Sequence, residues 1–174
     1  MSFDTTIVIA LNNLIGLSRW SDLFWLFVTD YLGYLLVLGV VLYWFKEREN
    51  NINANRDVLF VGLSIICSRV ILTEIIRYIW YRPRPLLVIP NLHILVREAS
   101  ASFPSGHAAV YFSLALALYY LNKKIGAWYL GSALLIGISR VVLGVHYPTD
   151  IIGGFLVAWV SVSAMKYLQR FNLS

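Results

Sequence analysis

Apolar residues run along this chain in long blocks separated by short polar segments, at about 22–45, 58–80, 105–121, 125–143 and 150–168. Each block is close to the roughly 20 apolar residues that carry an α-helix across the hydrocarbon core of a bilayer. No water is available there to satisfy backbone N–H and C=O groups, so helices joined by short loops are the expected solution. The pattern predicts an all-α polytopic membrane bundle of five spanning helices. Ahead of them, Phe3, Ile7, Leu11, Leu14 and Leu17 recur near the helical period, with Asp4, Thr5, Asn12 and Asn13 interleaved. This spacing predicts an interfacial amphipathic helix over residues 1–19, with a tilted sixth span as the alternative. The segment does not read as a signal peptide, because no basic stretch precedes its apolar part and no small-residue cleavage site follows. Trp20, Trp44, Trp80 and Trp128 fall near span ends, where an amphipathic ring suits the headgroup level. Gly131, Gly137, Gly153 and Gly154 offer smooth faces for close helix contact.

Composition agrees with the pattern. The chain is 59% hydrophobic, against ~45–50% for soluble domains, and its length accommodates one domain, residues 1–174. The single cysteine, Cys67, lies in an apolar block and reads as a small buried residue. The net charge of +5 is not that of a nucleic-acid binder, since no basic run with interleaved aromatics occurs. Instead the charges orient the bundle. Lys46, Arg48 and Arg56 follow the first span, Lys123 and Lys124 the third, and Lys166 and Arg170 the fifth. With five spans these share one side, which the positive-inside rule makes cytoplasmic. Asp30, Arg69 and Glu74 lie within spans, where ionisable groups are costly and usually paired or functional. Asp30 and Arg69 fall at comparable depth, so a structural Arg69–Asp30 ion pair is expected, with Glu74 as the competing partner.

Three polar stretches remain, Arg77–Pro85, Ser102–His107 and Ser139–Asp150, and all fall on the extracytoplasmic side. In the first, Arg77 and Arg84 bracket the outer end of the second span, and guanidinium forks bind phosphate well. Arg82 is evenly divided between that role and snorkelling to the headgroups. In the second, Ser105 and Gly106 open the third span, where free N–H groups favour an anion and glycine permits close approach. His107, one residue on, can reach a leaving-group oxygen. In the third, Arg140 ends the fourth span, His146 lies just outside it and Asp150 begins the fifth, with Pro148 suited to the first helical position. A carboxylate four residues from a histidine can accept its Nδ1 proton, leaving Nε2 as a nucleophile. Two histidines and an aspartate could alternatively hold zinc or iron, but the surrounding arginines would repel a cation and match an anion better.

These stretches resemble the three motifs of the type 2 phosphatidic acid phosphatase superfamily of integral-membrane lipid phosphatases. They appear as R-x6-RP from Arg77 to Pro85, PSGH from Pro104 to His107, and SR-x5-H-x3-D from Ser139 to Asp150. Arg77 stands where the family usually has lysine, a departure expected to affect substrate preference more than activity. The resemblance implies attack by His146 on phosphorus to give a phosphohistidine, with Asp150 orienting it. It implies that His107 protonates the leaving oxygen and later activates water. Arg77, Arg84, Arg140, Ser105 and the Gly106 N–H would hold the phosphoryl oxygens, and neither metal nor cofactor is implied. The implied partners are a phosphorylated membrane lipid and the bilayer, in a cytoplasmic membrane with residues 20–174 as the catalytic bundle. Among members, the chain looks most like bacterial undecaprenyl pyrophosphate phosphatases. Phosphatidylglycerophosphate, phosphatidate and lipid A 1-phosphate stay open as substrates, as does a non-catalytic lipid-phosphate binding or flipping role. The loop 86–100, with His93, Arg97 and Glu98, is the candidate for headgroup selection, with a solvated connector as the alternative.

Overall fold

The computed structural model describes residues 2–49 and 51–171, with the side chains of Arg170 and Phe171 outside the description. Arg170, counted above among the cytoplasmic charges, thus lies outside the described side chains. The described residues form an all-helical bundle. Helix α1 (Phe3–Asn12) is followed by α2 (Arg19–Asp30), α3 (Leu32–Glu47) and α4 (Ala54–Ile79). A single turn at Pro85–Val88 precedes α5 (Gly106–Leu121), α6 (Lys123–Val142) and α7 (Pro148–Phe171).

Helix α5 is the axis of the bundle and packs along α6, α7 and α4. Its small residues Ala108, Ala109, Ala115 and Ala117 are fully buried. With little hydrophobic drive between helices in lipid, such residues let backbones approach and gain dispersion contact. Gly154 of α7 carries a close approach to α5 beside the polar end. A Cβ there would lie 2.6 Å from the Ala108 Cβ and 2.8 Å from the Ser105 carbonyl oxygen. Helices α4, α6 and α7 have the length and composition to cross a membrane. Helix α5, at 16 residues, is shorter and relies on the helices around it.

The expected first span is two helices. Helices α2 and α3 meet at a 43° bend and together have the character of one broken span. The two halves are anchored to different neighbours. Thr29 at the end of α2 hydrogen-bonds Ser139 of α6 at 2.6 Å. Gly33 at the start of α3 leaves room for the Tyr111 side chain of α5, whose hydroxyl lies 1.8 Å from where a Cβ would stand.

A second correction concerns Arg69, which pairs with Glu74 and not with Asp30. Cys67–Leu72 within α4 are wound as a π-helix. Residues five apart share a face in that winding, which places Glu74 beside Arg69. Helix α1 has ten residues, about 15 Å of rise against a hydrocarbon thickness near ~30 Å. It docks on α6 and α7. Its buried Asn12 donates to the carbonyls of Val142 at 2.9 Å and His93 at 3.1 Å, and accepts from the His93 N–H at 2.7 Å.

Replacing Gly154 with alanine forces α5 and α7 apart and is expected to cost about 1–3 kcal/mol, as overpacking does. Thermal unfolding in detergent measures it, with Gly131→Ala, where a Cβ meets open space, as the control.

Candidate active site

All three polar stretches converge at the end of the bundle opposite the α5–α6 turn, around the carboxylate of Asp150. This residue occupies the first turn of α7 and is fully buried. One of its oxygens, Oδ2, accepts from the Ser102 hydroxyl at 2.5 Å and the Tyr147 N–H at 2.8 Å. His146 Nδ1 approaches the same oxygen at 3.4 Å, a long contact. The other oxygen, Oδ1, accepts from Arg82 at 2.7 Å. Arg82 continues to the Thr149 hydroxyl at 2.7 Å and to Asp4 of α1 at 2.8 Å, and lies 3.9 Å over the Tyr147 ring.

His146 sits in the bend between α6 and α7, where Gly144 takes a positive φ of 67° that glycine adopts without strain. Its Nε2 is 3.0 Å from an Arg84 nitrogen. Arginine can only donate, so Nε2 is the acceptor and the ring proton belongs on Nδ1, toward Asp150. Burial first, then the charges of Arg84 and Arg140, push His146 down to about 4, although Asp150 opposes them. The ring is therefore neutral at physiological pH.

Arg84 is 1% exposed, and the prolines on either side of it fix the chain's exit from α4. It donates to the Ser100 and Val145 carbonyls at 2.9 and 3.0 Å and to the Ser100 hydroxyl at 2.9 Å. Burial pushes it down to about 10, despite Glu98, so it stays cationic at neutral pH. Glu98 bridges Arg84, at 2.8 Å, and Arg140. Burial raises the Glu98 carboxyl, but Arg140 and Arg84 outweigh it and hold it below the usual carboxylate range. Arg77 donates to the Pro104 carbonyl at 3.1 and 3.3 Å.

A cavity of about 240 Å³ opens among Arg77, Arg84, Gly106, His107 and His146, with Arg69, Glu98, Ser100, Val110 and Tyr111 completing its wall. Three of the expected residues stand behind this lining. Asp150 lies beneath His146. Arg140 is covered by Glu98, and its Nε is buried without a partner among the described residues. Ser105 is the N-cap of α5: its hydroxyl accepts from the Ala108 N–H at 3.4 Å, and its own N–H donates to the Asp150 carbonyl at 3.0 Å. The cation-rich lining suits an anion with several oxygens.

Some residues of this site carry little signal in the sequence. Arg82 grips Asp150 where its position allowed snorkelling equally well. Ser102 opens the second stretch without any spacing that ties it to Asp150. Asp4 comes from the far N-terminus, and only its place among apolar residues of an amphipathic helix marks it. Glu98 faces the cavity, within the loop considered for headgroup selection.

Residues 57–174 match the family model described as PAP2 superfamily. Over 149 residues the chain is 34% identical to the undecaprenyl-diphosphatase BcrC of Bacillus subtilis, covering 82% of this chain and 74% of that protein. Over 136 residues it is 32% identical to the bacitracin transport permease protein BcrC of Bacillus licheniformis, covering 78% of this chain and 65% of the relative. Among solved structures, LpxE of Aquifex aeolicus shares the fold at a TM-score of 0.79 and 24% identity, with 96% of each chain covered. The PAP2-type phosphatidylglycerolphosphate phosphatase of Bacillus subtilis superposes at 0.66 and 26% identity, over 96% of this chain and 84% of that one.

The low position of His146 has a directly measurable consequence. Its imidazole is expected to keep the neutral, Nδ1-protonated nitrogen-15 NMR signature from pH 8 to pH 5, where an ordinary histidine of pKa ~6.5 has already charged. Because the unfolded chain takes up that proton below about 6.5 and the folded one refuses it until about 4, His146 lowers stability as pH falls through this window. His146→Gln removes that part of the acid sensitivity.

Proposed function

The chain belongs to the PAP2 superfamily, and from that membership we propose a lipid phosphatase that works through a phosphohistidine on His146, without a metal, at the extracytoplasmic face. The observation that carries the chemistry is His146 itself, neutral, with Nε2 toward an arginine-lined cavity and Nδ1 toward Asp150. The Nε2 lone pair attacks phosphorus, and the bond from phosphorus to the leaving oxygen breaks on the opposite side with its electron pair departing on that oxygen. His107, in the cavity wall, supplies the proton to that oxygen. It then takes a proton from the water that attacks phosphorus, breaking the nitrogen–phosphorus bond and releasing inorganic phosphate.

As phosphate enters, Arg84 exchanges its contacts with Nε2 and Glu98 for phosphoryl oxygens, and Arg140 becomes available as Glu98 yields. Arg77 and the Gly106 N–H complete the donor set, while Ser105 acts by holding the first turn of α5 open toward it. Such donors stabilise charge as it shifts in the transition state, and loss of one typically costs ~10²–10³ in rate.

Undecaprenyl pyrophosphate, cleaved to undecaprenyl phosphate, is the proposed substrate. The undecaprenyl-diphosphatase name of the Bacillus subtilis relative supports it. The basic charges around the α3–α4 connection and at the start of α6 support a cytoplasmic location for the opposite end and an outward-facing site in the cytoplasmic membrane.

Purified protein in detergent with a chelator is expected to release phosphate from undecaprenyl pyrophosphate, and His146→Ala to lower the rate by at least about 10³-fold, as loss of a nucleophile does. Retained turnover in that variant would contradict the assignment. A departing lipid monophosphate needs less protonation than a departing alkoxide, so His107→Ala is expected to harm monoester cleavage more than diphosphate cleavage, measured as kcat/KM on each.

A further inference from the structure

Resting on the phosphatase reading above, we infer that Arg69 receives the second phosphoryl group of a diphosphate, the one that departs with the lipid, and so biases this site toward lipid diphosphates over monoesters. Arg69 lies outside the three polar stretches, in the membrane-spanning helix α4, where a cation is costly to keep. Its guanidinium nevertheless lines the cavity that holds His146 and His107.

Two local features bring it there. The π-helical winding of Cys67–Leu72 changes the face on which position 69 emerges, and such insertions often mark functional sites. The winding is tied to α5 by the Ser68 hydroxyl, which donates to the Ala109 carbonyl at 3.1 Å. Gly106 then lets the arginine lie across the first turn of α5, since a Cβ there would be 2.8 Å from Arg69 Nε. Glycine at this position accommodates the arginine as well as exposing an N–H.

The charges of the site divide into two groups, each held by a carboxylate. Glu98 bridges Arg84 and Arg140 beside the attacking nitrogen. Glu74 pairs with Arg69 and lies 3.6 Å from Arg77. In-line displacement puts the leaving group opposite Nε2, toward His107 and the wall that Arg69 shares with it. A monoester presents one alkoxide oxygen there, followed by hydrocarbon, which a guanidinium cannot use. A diphosphate presents a second phosphoryl group whose negative charge grows as the bridging bond breaks, and a guanidinium fork matches it.

The test compares farnesyl diphosphate with farnesyl monophosphate, which share a tail, as substrates of the purified protein in detergent. Arg69→Gln is expected to lower the ratio of kcat/KM on the diphosphate to that on the monophosphate by about tenfold or more, the size of a lost charge-assisted contact. A misfolded fraction lowers both rates equally and leaves the ratio untouched. Arg69→Lys is expected to restore part of the ratio, and Glu74→Gln, which frees Arg69 from its ion pair, to keep or raise it. An unchanged ratio in Arg69→Gln would overturn the inference alone, and so would an equal fall of the ratio in Glu74→Gln, which would mark the ion pair as structural. A wild-type protein that cleaves neither compound would overturn the phosphatase reading together with it.

Discussion

The buried carboxylate of Asp150 is the interaction on which the rest of the structure depends. An ionised group removed from water is tolerated only when its lone pairs are met, and removing one partner of such an arrangement typically costs ~3–5 kcal/mol. Here the donors come from separate parts of the chain: Ser102 from the loop before α5, Arg82 from the segment after α4, and His146 and the Tyr147 N–H from the bend before α7. Satisfying one carboxylate therefore draws together the three polar stretches. Arg82 extends the requirement further, because its other terminal nitrogen, Nη2, needs an acceptor and finds Asp4. The N-terminal helix is thereby part of the same polar network as His146.

Around that fixed point the electrostatics work in the opposite sense. Asp150 is an anion in need of donors, whereas the cavity above it is lined by cations. Arg69, Arg77 and Arg84 in the wall, with Arg140 behind it, would repel one another if bare, and Glu74 and Glu98 relieve this. On the proposed reading a phosphate replaces those contacts, because it offers more oxygens and more charge than a carboxylate. Burial keeps His146 neutral next to these cations, so the site can hold a strong anion close to an unprotonated nitrogen.

Much of this was legible in the sequence. Long apolar blocks reveal spanning helices because the bilayer imposes a minimum length, and the histidine–aspartate spacing reveals a pair because four residues make about one helical turn. What was not legible depends on contacts between distant segments. The bend at Asp30 follows from Thr29 and Gly33 meeting different neighbours, and no proline marks it. The Arg69–Asp30 pairing assumed α-helical geometry throughout α4, and a π-helical turn redirected the arginine to Glu74. Arg140 and Ser105 fit their motifs, yet one lies behind Glu98 and the other caps a helix. Motif spacing identifies the neighbourhood of a site but not which side chains line it.

The central claim is that His146 becomes covalently phosphorylated. Rapid quenching into base during turnover of a lipid diphosphate labelled in its terminal phosphoryl group, followed by peptide mapping, tests it most directly. The account predicts an acid-labile, base-stable label on the peptide containing His146, formed and lost at rates compatible with turnover and absent from His146→Ala. Full turnover with no label on that peptide, or a label carried by His107, would contradict it.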